Sequence, residues 1–264
     1  MSKAYGLAEP REGPWSYDDL IEDVERVLII VAHPDDIDHG CAGTVARMTD
    51  AGITVHQLII TKGGAGGHDP HQSHDELIAI RVEESHAAAE VLGCTCHLLN
   101  YPDGMVLDSA ELRRDIAREI RIERPDLMMT MTPSPLVGGT FINHPDHRVV
   151  AQLTMDNVVT GGPTALVFPE LLDEELLPHK PSRLALFGPI GGGALGANVM
   201  GDIPPNCCVD ITETFERKKA ALAAHASQVE DRDLDDFVRW ISESAARNET
   251  FRYGESFHVL DAFP

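Results

Sequence analysis

Residues 27–40 read VLIIVAHPDDIDHG, six apolar residues followed at once by imidazole and carboxylate side chains. A short apolar run of this kind, rich in Val and Ile, predicts a strand that is buried on both faces of a parallel sheet. In open α/β sheets the ligand crevice lies at the carboxyl ends of the strands. The run therefore indicates the fold class, and the HPDD segment that ends it is the first candidate for a functional site.

Outward from this strand, apolar runs alternate with amphipathic stretches, which is typical of βαβ units. The predicted strands are 27–32, 54–60, 95–99, 127–131, 185–187 and 207–211. The predicted helices are 40–51, 75–92, 109–123 with Ser109 as its N-cap, 145–159, 212–225 and 234–245. We expect one Rossmann-like three-layer α/β domain over residues 1–264, with a mostly parallel sheet, an N-terminal extension at 1–26 and a less regular C-terminal portion at 161–264. Whether residues 161–201 form a lid over the site or an interface is left open.

The net charge is strongly negative, since 21 Lys and Arg face 43 Asp and Glu, which gives −22 over 264 residues. Such a field repels phosphate backbones and anionic bilayers, so neither a nucleic acid nor a membrane is an expected partner. The N-terminus has no apolar stretch behind a basic start, which predicts a cytoplasmic protein. The five cysteines lack zinc-finger spacing and are expected to be buried, reduced thiols. The expected partner is a small molecule, and a homo-oligomer is compatible with these features.

A second polar segment, INHPDHR at 142–148, follows the fourth predicted strand and opens a helix at Pro145. Pro suits the first position of a helix, and that helix places His144 and His147 on one side, one turn apart. Imidazoles and carboxylates crowded at two strand ends are unfavourable unless a cation joins them. Catalytic zinc typically takes three such ligands and keeps a fourth position for water, so His33, one aspartate of the HPDD segment and one of the two later histidines predict a zinc site. Each segment alone is also compatible with a capped turn that holds structural ion pairs.

These segments, AHPDDIDHGCAGT and FINHPDHR, resemble the signature motifs of the LmbE-like (PIG-L) zinc-dependent N-acetylglucosaminyl deacetylases. The resemblance extends through RVEESHAAAEVLG, YPDG, FPELLDEELLPHK and ERKKAALAAHASQ to GESFHV, so it spans the chain from Val27 onward. It implies that His33, Asp36 and His147 bind the metal, which is Zn²⁺ or, as the alternative, Fe²⁺.

The same resemblance assigns roles to five further residues. Asp35 is the general base, His144 stabilises the oxyanion, and Asp146 orients His144. For the reaction itself we expect His144 to act in its charged form. Arg81 and Asp103 fall where the family contacts substrate hydroxyls.

The first motif departs from the commonest family pattern, which has Glu directly after the two aspartates. This chain has Ile37 there, and Asp38 resembles a variant with Glu at that position. The proposed ligands and base are not affected.

The resemblance implies that water activated by the metal removes an N-acetyl group from an N-acetylglucosamine-like amino sugar. One alternative keeps the chemistry and changes the substrate: an amidase that acts on a thiol-sugar conjugate or another N-acyl natural product. A second alternative is a Rossmann-like binding module without catalysis. Against nucleotide binding, the HPDD turn lacks G-x-G-x-x-G, and its carboxylates would repel a pyrophosphate.

Overall fold

The computed structural model describes residues 13–67, 69–137, 141–188, 204–229 and 233–263. Residues 1–12 of the expected N-terminal extension and 189–201 of the expected lid or interface lie outside these ranges. The helices described are α1 (Tyr17–Ile21), α2 (Asp36–Gly40), α3 (Ala42–Asp50), α4 (His74–Leu92), α5 (Ala110–Glu123), α6 (Pro145–Val159), α7 (Glu170–Asp173), α8 (Phe215–Ala223), α9 (Ala226–Val229) and α10 (Leu234–Ala245), with a 3-10 helix at Ala165–Val167. The strands described are β1 (Arg26–Val31), β2 (Thr54–Thr61), β3 (Thr95–Tyr101), β4 (Leu127–Met131), β5 (Leu136–Val137), β6 (Phe141–Ile142), β7 (Arg183–Phe187), β8 (Cys207–Asp210) and β9 (Gly254–Asp261). Over this part of the chain, no helix combines the length and the apolar character needed to cross a membrane.

Seven strands form one mixed sheet in the order β3-β2-β1-β4-β7-β9-β8. The first five run parallel to one another, because β1 pairs in parallel with β2 and β4, β2 with β3, and β4 with β7. β9 is antiparallel to both of its neighbours, β7 and β8. A separate hairpin of β5 and β6 follows β4. The topology confirms the expected α/β class with a mostly parallel sheet.

Two hydrophobic cores form on the two faces of the sheet, since successive side chains of a strand point to opposite sides. On one face Val27, Ile29 and Val31 of β1 join residues of α3, α4 and α8. On the other face Leu28 and Ile30 pack with residues of α5 and α6. Each of these five side chains is at most 2% exposed. β1 is thus buried on both faces, as its continuous apolar run predicts, and the domain has three layers.

Most predicted elements are confirmed with small shifts at their ends. α6 and α10 begin and end at the predicted residues, and Ser109 caps α5 by accepting a hydrogen bond from Leu112 N–H. The predicted helix at 40–51 is wrong at its start. A short helix already begins at Asp36, and Cys41, with φ −147° and ψ 14°, separates it from α3.

β9 is a central element that the hydrophobic pattern does not predict. Its second residue is Glu255, which is fully buried, whereas a charged residue normally argues against a buried strand unless it is paired. Its pairing partners come from distant parts of the chain, so no local pattern signals the burial.

The partner of this buried carboxylate is a buried ammonium group. Nζ of Lys218 lies 2.6 Å from Oε1 of Glu255, and both side chains are fully buried. The carboxylate also accepts hydrogen bonds from the backbone N–H groups of Gly43 (3.0 Å) and Thr44 (2.7 Å) in the first turn of α3. Lys218 donates a further hydrogen bond, 2.9 Å long, to the carbonyl of His39 in α2. The pair therefore joins β9 and α8 to the two helices that follow the HPDD segment.

We expect Lys218→Met to lower the free energy of unfolding by about 3–5 kcal/mol, because it leaves the Glu255 carboxylate buried without its cation. Lys219→Met is the matched control, since Lys219 pairs at the surface with Glu216 and Asp235 and such pairs contribute little. Urea unfolding measures both variants. Losses of similar size in the two variants would contradict the role given to the buried pair, and adding Glu255→Gln to Lys218→Met should recover part of the stability.

Candidate active site and metal centre

The carboxyl ends of β1 and β4 meet at a switch point in the sheet. After β1 the chain enters α2 and α3 on one face, and after β4 it passes through the β5–β6 hairpin into α6 on the other face. Connections that diverge in this way open a crevice between them. The HPDD segment lies on one side of the crevice and the NHPDH segment on the other, so the fold brings together the two segments that the sequence singles out.

The turn after β1 is held by its own side chains and backbone. Oδ2 of Asp36 accepts a hydrogen bond of 2.8 Å from the backbone N–H of His33, which closes the turn. Asp35 has φ 85° and ψ −18°, a left-handed conformation that is uncommon for a residue other than glycine. Such backbone strain persists only where the surroundings enforce it, and functional sites are frequent examples.

Asn143 anchors the segment that opens α6. Its side-chain amide donates hydrogen bonds to the carbonyls of Thr132 (3.1 Å) and Ser134 (2.9 Å), and the residue is 1% exposed. Its Oδ1 lies 3.3 Å from Nδ1 of His147. Because that contact occupies one imidazole nitrogen, Nε2 of His147 is the nitrogen that faces the HPDD segment.

The three predicted metal ligands direct donor atoms to one point. Nε2 of His147 lies 3.1 Å from Oδ1 of Asp36 and 3.1 Å from Nδ1 of His33. Nδ1 of His33 lies 3.6 Å from Oδ2 of Asp36. Ligands bound at about 2.0–2.2 Å to a tetrahedral zinc ion are separated by about 3.3–3.5 Å, so this spacing fits a divalent ion. Two imidazoles and one carboxylate are also a donor set that suits zinc.

Negative charge surrounds His33 on its other side as well. Its Nε2 lies 3.2 Å from Oδ1 of Asp103 and 3.3 Å from Oδ2 of Asp146. Burial disfavours the charged imidazole, but the surrounding carboxylates outweigh burial and raise the pKa of His33 to about 12. Burial likewise opposes the ionised form of Asp36, and the contacts with His147 and His33 nevertheless hold its pKa well below the usual value. The crevice therefore favours a positive charge at this point.

Asp35 lies next to these donors but has its own partners. Its Oδ1 is 3.3 Å from a guanidinium nitrogen of Arg81, and its Oδ2 is 4.0 Å from Nε2 of His39. Burial raises the pKa of Asp35 by more than the neighbouring Arg81 and His39 lower it. A carboxylate with a raised pKa is suited to accepting a proton near neutral pH.

Arg81 was expected to contact substrate, and the structure places it beneath the HPDD turn. It is 3% exposed and donates hydrogen bonds to the carbonyls of Gly63 and Pro34, each 3.1 Å long. Gly63 has φ 68°, and a Cβ atom there would collide with the guanidinium group of Arg81. The loop after β2 thus lies directly on Arg81, which supports the turn that carries Asp35.

Asp146 has partners other than the predicted one. Its carboxylate accepts hydrogen bonds from the backbone N–H groups of Gly104 (2.8 Å) and Val106 (3.2 Å) and lies beside His33. Among the described residues, no hydrogen bond joins this carboxylate to His144. The two backbone donors of the loop after β3 determine where the carboxylate points, and the role of Asp146 in orienting His144 stays a prediction.

His144 lies exposed at the mouth of the crevice. The centroid of its ring is 4.8 Å from that of His33 and 5.1 Å from that of His147. The backbone N–H of Asp146 donates to Nδ1 of His144 at 3.2 Å, so a neutral ring carries its proton on Nε2. Burial, followed by the neighbouring imidazoles, lowers the pKa of His144. These features favour a neutral His144 that donates through Nε2.

Asp103 separates the donor atoms from a cavity. One of its oxygens faces His33, and the other accepts a hydrogen bond of 2.8 Å from the backbone N–H of Ala65, which joins the loops after β2 and β3. The cavity between these loops has a volume of about 270 Å³. Its walls include Lys62, His74, Ile78, Asn100, Tyr101 and Met105.

A buried polar layer behind the HPDD turn was not predicted. Nε2 of His225 lies 2.9 Å from Oδ2 of Asp38, and the two residues are 1% and 3% exposed. Burial lowers the pKa of His225, but the neighbouring carboxylates raise it by more. The available signal was the lone imidazole in the apolar stretch AALAAHA together with the acidic residue at position 38. Neither feature by itself shows that the two side chains meet.

Comparison with known proteins extends the sequence motifs over most of the chain. Residues 28–158 match the family model described as PIG-L, GlcNAc-PI de-N-acetylase. The diacetylchitobiose deacetylase of Thermococcus kodakarensis is 33% identical over 247 residues, which cover 90% of this chain and 84% of the relative. The 1D-myo-inositol 2-acetamido-2-deoxy-alpha-D-glucopyranoside deacetylase of Kineococcus radiotolerans is 30% identical, with 81% of this chain and 72% of the relative covered. The structure of N,N'-diacetylchitobiose deacetylase from Pyrococcus horikoshii in complex with an inhibitor matches with a TM-score of 0.81 and 31% identity, covering 93% of this chain and 87% of that one.

We expect the purified protein to retain zinc during dialysis against metal-free buffer and His147→Ala to retain less, because the variant lacks the Nε2 donor of α6. Zinc is counted by mass spectrometry after dialysis. His71→Ala, which removes an exposed imidazole from the loop before α4, is the control and should retain as much zinc as the unmodified protein. Equal retention by all three proteins would remove His147 from the ligand set.

Proposed function

The chain belongs to the PIG-L (LmbE-like) family, and on that premise we propose that it is a metal-dependent hydrolase that removes the N-acetyl group from an N-acetylglucosamine-like amino sugar. The observation that carries the proposal is the convergence of donor atoms of His33, Asp36 and His147, 3.1 to 3.6 Å apart, beside the carboxylate of Asp35. A metal-dependent amidohydrolase needs a Lewis acid and a general base next to each other in a crevice that is open to solvent. This edge of the sheet supplies residues for both.

The metal would be held by the imidazoles of His33 and His147 and the carboxylate of Asp36. A divalent ion bound there supplies Lewis acidity towards the acyl oxygen and towards water. Zn²⁺ is the metal we propose, with Fe²⁺ as the alternative, because imidazole and carboxylate accommodate both. Oδ1 of Asn143 lies 3.3 Å from Nδ1 of His147, and this contact would orient the imidazole before metal is bound.

Asp35 accepts the proton of the attacking water and then delivers it to the leaving amine. Its raised pKa suits both steps, since a base that is too weak cannot take the proton and one that is too strong does not return it. The guanidinium of Arg81, 3.3 Å away and fixed by two carbonyls, keeps the carboxylate in place. Arg81 thus acts on the reaction through Asp35.

His144 donates a hydrogen bond from Nε2 to the oxygen on which negative charge develops. The backbone N–H of Asp146 donates to Nδ1 of His144, which leaves the ring proton on Nε2. The hydrogen-bond donor is thus oriented before the reaction begins. Asp146 acts on this step through its backbone, while its carboxylate holds the loop that carries Asp103.

The rest of the substrate would extend past Asp103 into the cavity beside it. The Oδ1 atom of this carboxylate lies beside His33, and a sugar hydroxyl next to the acetamido group would lie near it. The relatives act on acetylated glucosamine linked to a second sugar or to inositol, according to their names. We propose that this chain takes a substrate of the same class.

We expect Asp35→Asn to lower kcat for acetate release by about 10²- to 10⁴-fold with unchanged zinc content, because it removes the base and leaves the ligands in place. Steady-state kinetics and metal analysis on the same preparation measure both quantities. Asp75→Asn, which alters an exposed carboxylate in the first turn of α4, should match the unmodified protein. An Asp35→Asn enzyme with full zinc and full activity would exclude Asp35 as the base.

A substrate panel tests the proposed function as a whole. The panel contains N-acetylglucosamine, N,N'-diacetylchitobiose, N-acetylglucosaminyl inositol and an N-acylated thiol-sugar conjugate. We expect acetate release from at least one acetylated sugar, loss of that activity on chelation, and recovery when Zn²⁺ or Fe²⁺ is added. Amine release from the conjugate alone would favour the amidase alternative, and inactivity on all four compounds would contradict the proposal.

A further inference from the structure

A second cluster of imidazoles and carboxylates lies near the amino-terminal ends of β2 and β3, away from the site described above, which lies at the carboxyl ends of the strands. His56 is the third residue of β2 and His97 the third of β3, in a register that pairs His56 with Thr95 and Leu58 with His97. Both side chains therefore project from the face that carries Leu58 and packs against α5. The stretch of β2 between His56 and Thr61, which is the last residue of the strand, is about 16 Å long.

Both imidazoles are directed at one buried carboxylate on α5. Nε2 of His56 lies 2.9 Å from Oε1 of Glu119, and Nδ1 of His97 lies 3.4 Å from the same oxygen. Glu119 is 7% exposed, and a carboxylate at that depth requires a cation or hydrogen-bond donors. Three separate elements thus direct potential ligands to a single point.

Two further residues complete the arrangement. Glu123 lies one turn after Glu119 on the same side of α5, and donor atoms of His56, Glu119 and Glu123 lie within 4.8 Å of one another. Oε2 of Glu123 pairs with Arg26 at 3.0 Å, so Oε1 of Glu123 is the oxygen that could bind a metal ion. Nδ1 of His56 lies 2.8 Å from Oγ1 of Thr95, and this contact turns Nε2 towards the carboxylates. Metal-bound imidazoles commonly have such a partner on the second nitrogen.

We propose that His56, Glu119 and Glu123 form a second metal site, structural in role, that takes Zn²⁺, with His97 beside Glu119 as the fourth ligand. Two imidazoles and two carboxylates suit zinc better than Mg²⁺ or Ca²⁺, which prefer oxygen ligands alone. The 3.4 Å between Nδ1 of His97 and Oε1 of Glu119 is near the about 3.3–3.5 Å expected between ligands of a tetrahedral ion, and the 2.9 Å between Nε2 of His56 and the same oxygen is a hydrogen-bond distance that metal binding would lengthen. With His97 these side chains would fill a tetrahedral shell, which would leave no position for water, and the ion would stabilise the fold.

The position of the site explains what the ion would stabilise. β3 is the edge strand of the sheet, and the ion would join it to β2 and to α5 on the layer above. The side chain of His97 is 52% exposed, so the ion can enter from solvent without unfolding of the core. The competing explanation is a pair of histidine–glutamate contacts without metal, and the two explanations differ in zinc stoichiometry.

Equilibrium dialysis of the metal-free full-length protein against buffered free zinc counts both sites. We expect two equivalents in the unmodified protein, one in His56→Ala/His97→Ala, one in His147→Ala, and none in the triple variant. The control His71→Ala should keep two equivalents. Equal zinc content in the unmodified and His56→Ala/His97→Ala proteins would overturn the proposal. Loss of zinc from His147→Ala bears on the first site only, so the two sites are tested separately.

A milder substitution keeps the test valid if the double variant fails to fold. Glu123→Gln preserves the shape of the side chain and removes its charge, and it should weaken binding of the second equivalent at least tenfold. Isothermal titration calorimetry on protein that is occupied at the first site measures this affinity. An unchanged affinity would also overturn the proposal.

Discussion

The parallel pairing of β1 with β4, in register from Val27 with Leu127 to Ile30 with Thr130, is the constraint on which the site depends. Because both strands end at the same edge and their connections diverge to opposite faces, a crevice opens between the two polar segments. Neither segment contains the complete set of proposed metal ligands. His33 and Asp36 come from one connection and His147 from the other, so the donor set exists only when these two strands lie side by side.

Charge compensation behind the crevice keeps this arrangement in place. The short helix after the HPDD turn carries Asp38, which meets His225, and ends near Lys218, whose partner is Glu255. All four side chains are buried, where an unpaired charge would be costly. Removal of one partner therefore threatens the position of the turn as well as global stability. The C-terminal strand, although far from the reacting groups, takes part in holding them through Glu255.

The two donor clusters of the molecule differ in a way that follows from their positions in the fold. The first lies on connections beyond the strand ends, where the crevice admits solvent and an adjoining cavity can hold a ligand. The second lies within β2, β3 and α5, where side chains approach from three sides. Connections beyond strand ends can diverge and leave an open coordination position, whereas regular elements packed together close around an ion. We therefore expect catalysis at the first cluster, and at the second a bound ion that joins strands and helix and stabilises the fold.

The features that depend on local pattern can be predicted from the sequence. The apolar run before HPDD predicts a strand buried on both faces, Pro145 predicts the start of α6, and the two motifs predict a donor set for one metal. The partner of each polar side chain depends on the tertiary fold: Asp146 contacts the loop after β3, Arg81 is buried under the turn, and β9 lies between β7 and β8. These outcomes depend on contacts between residues far apart in the chain, such as the 114 positions that separate His33 from His147. A local pattern indicates whether a residue suits a helix, a strand or a buried position. The partner of a buried charge is a group from a distant part of the chain, and only packing brings the two within a few ångströms of each other.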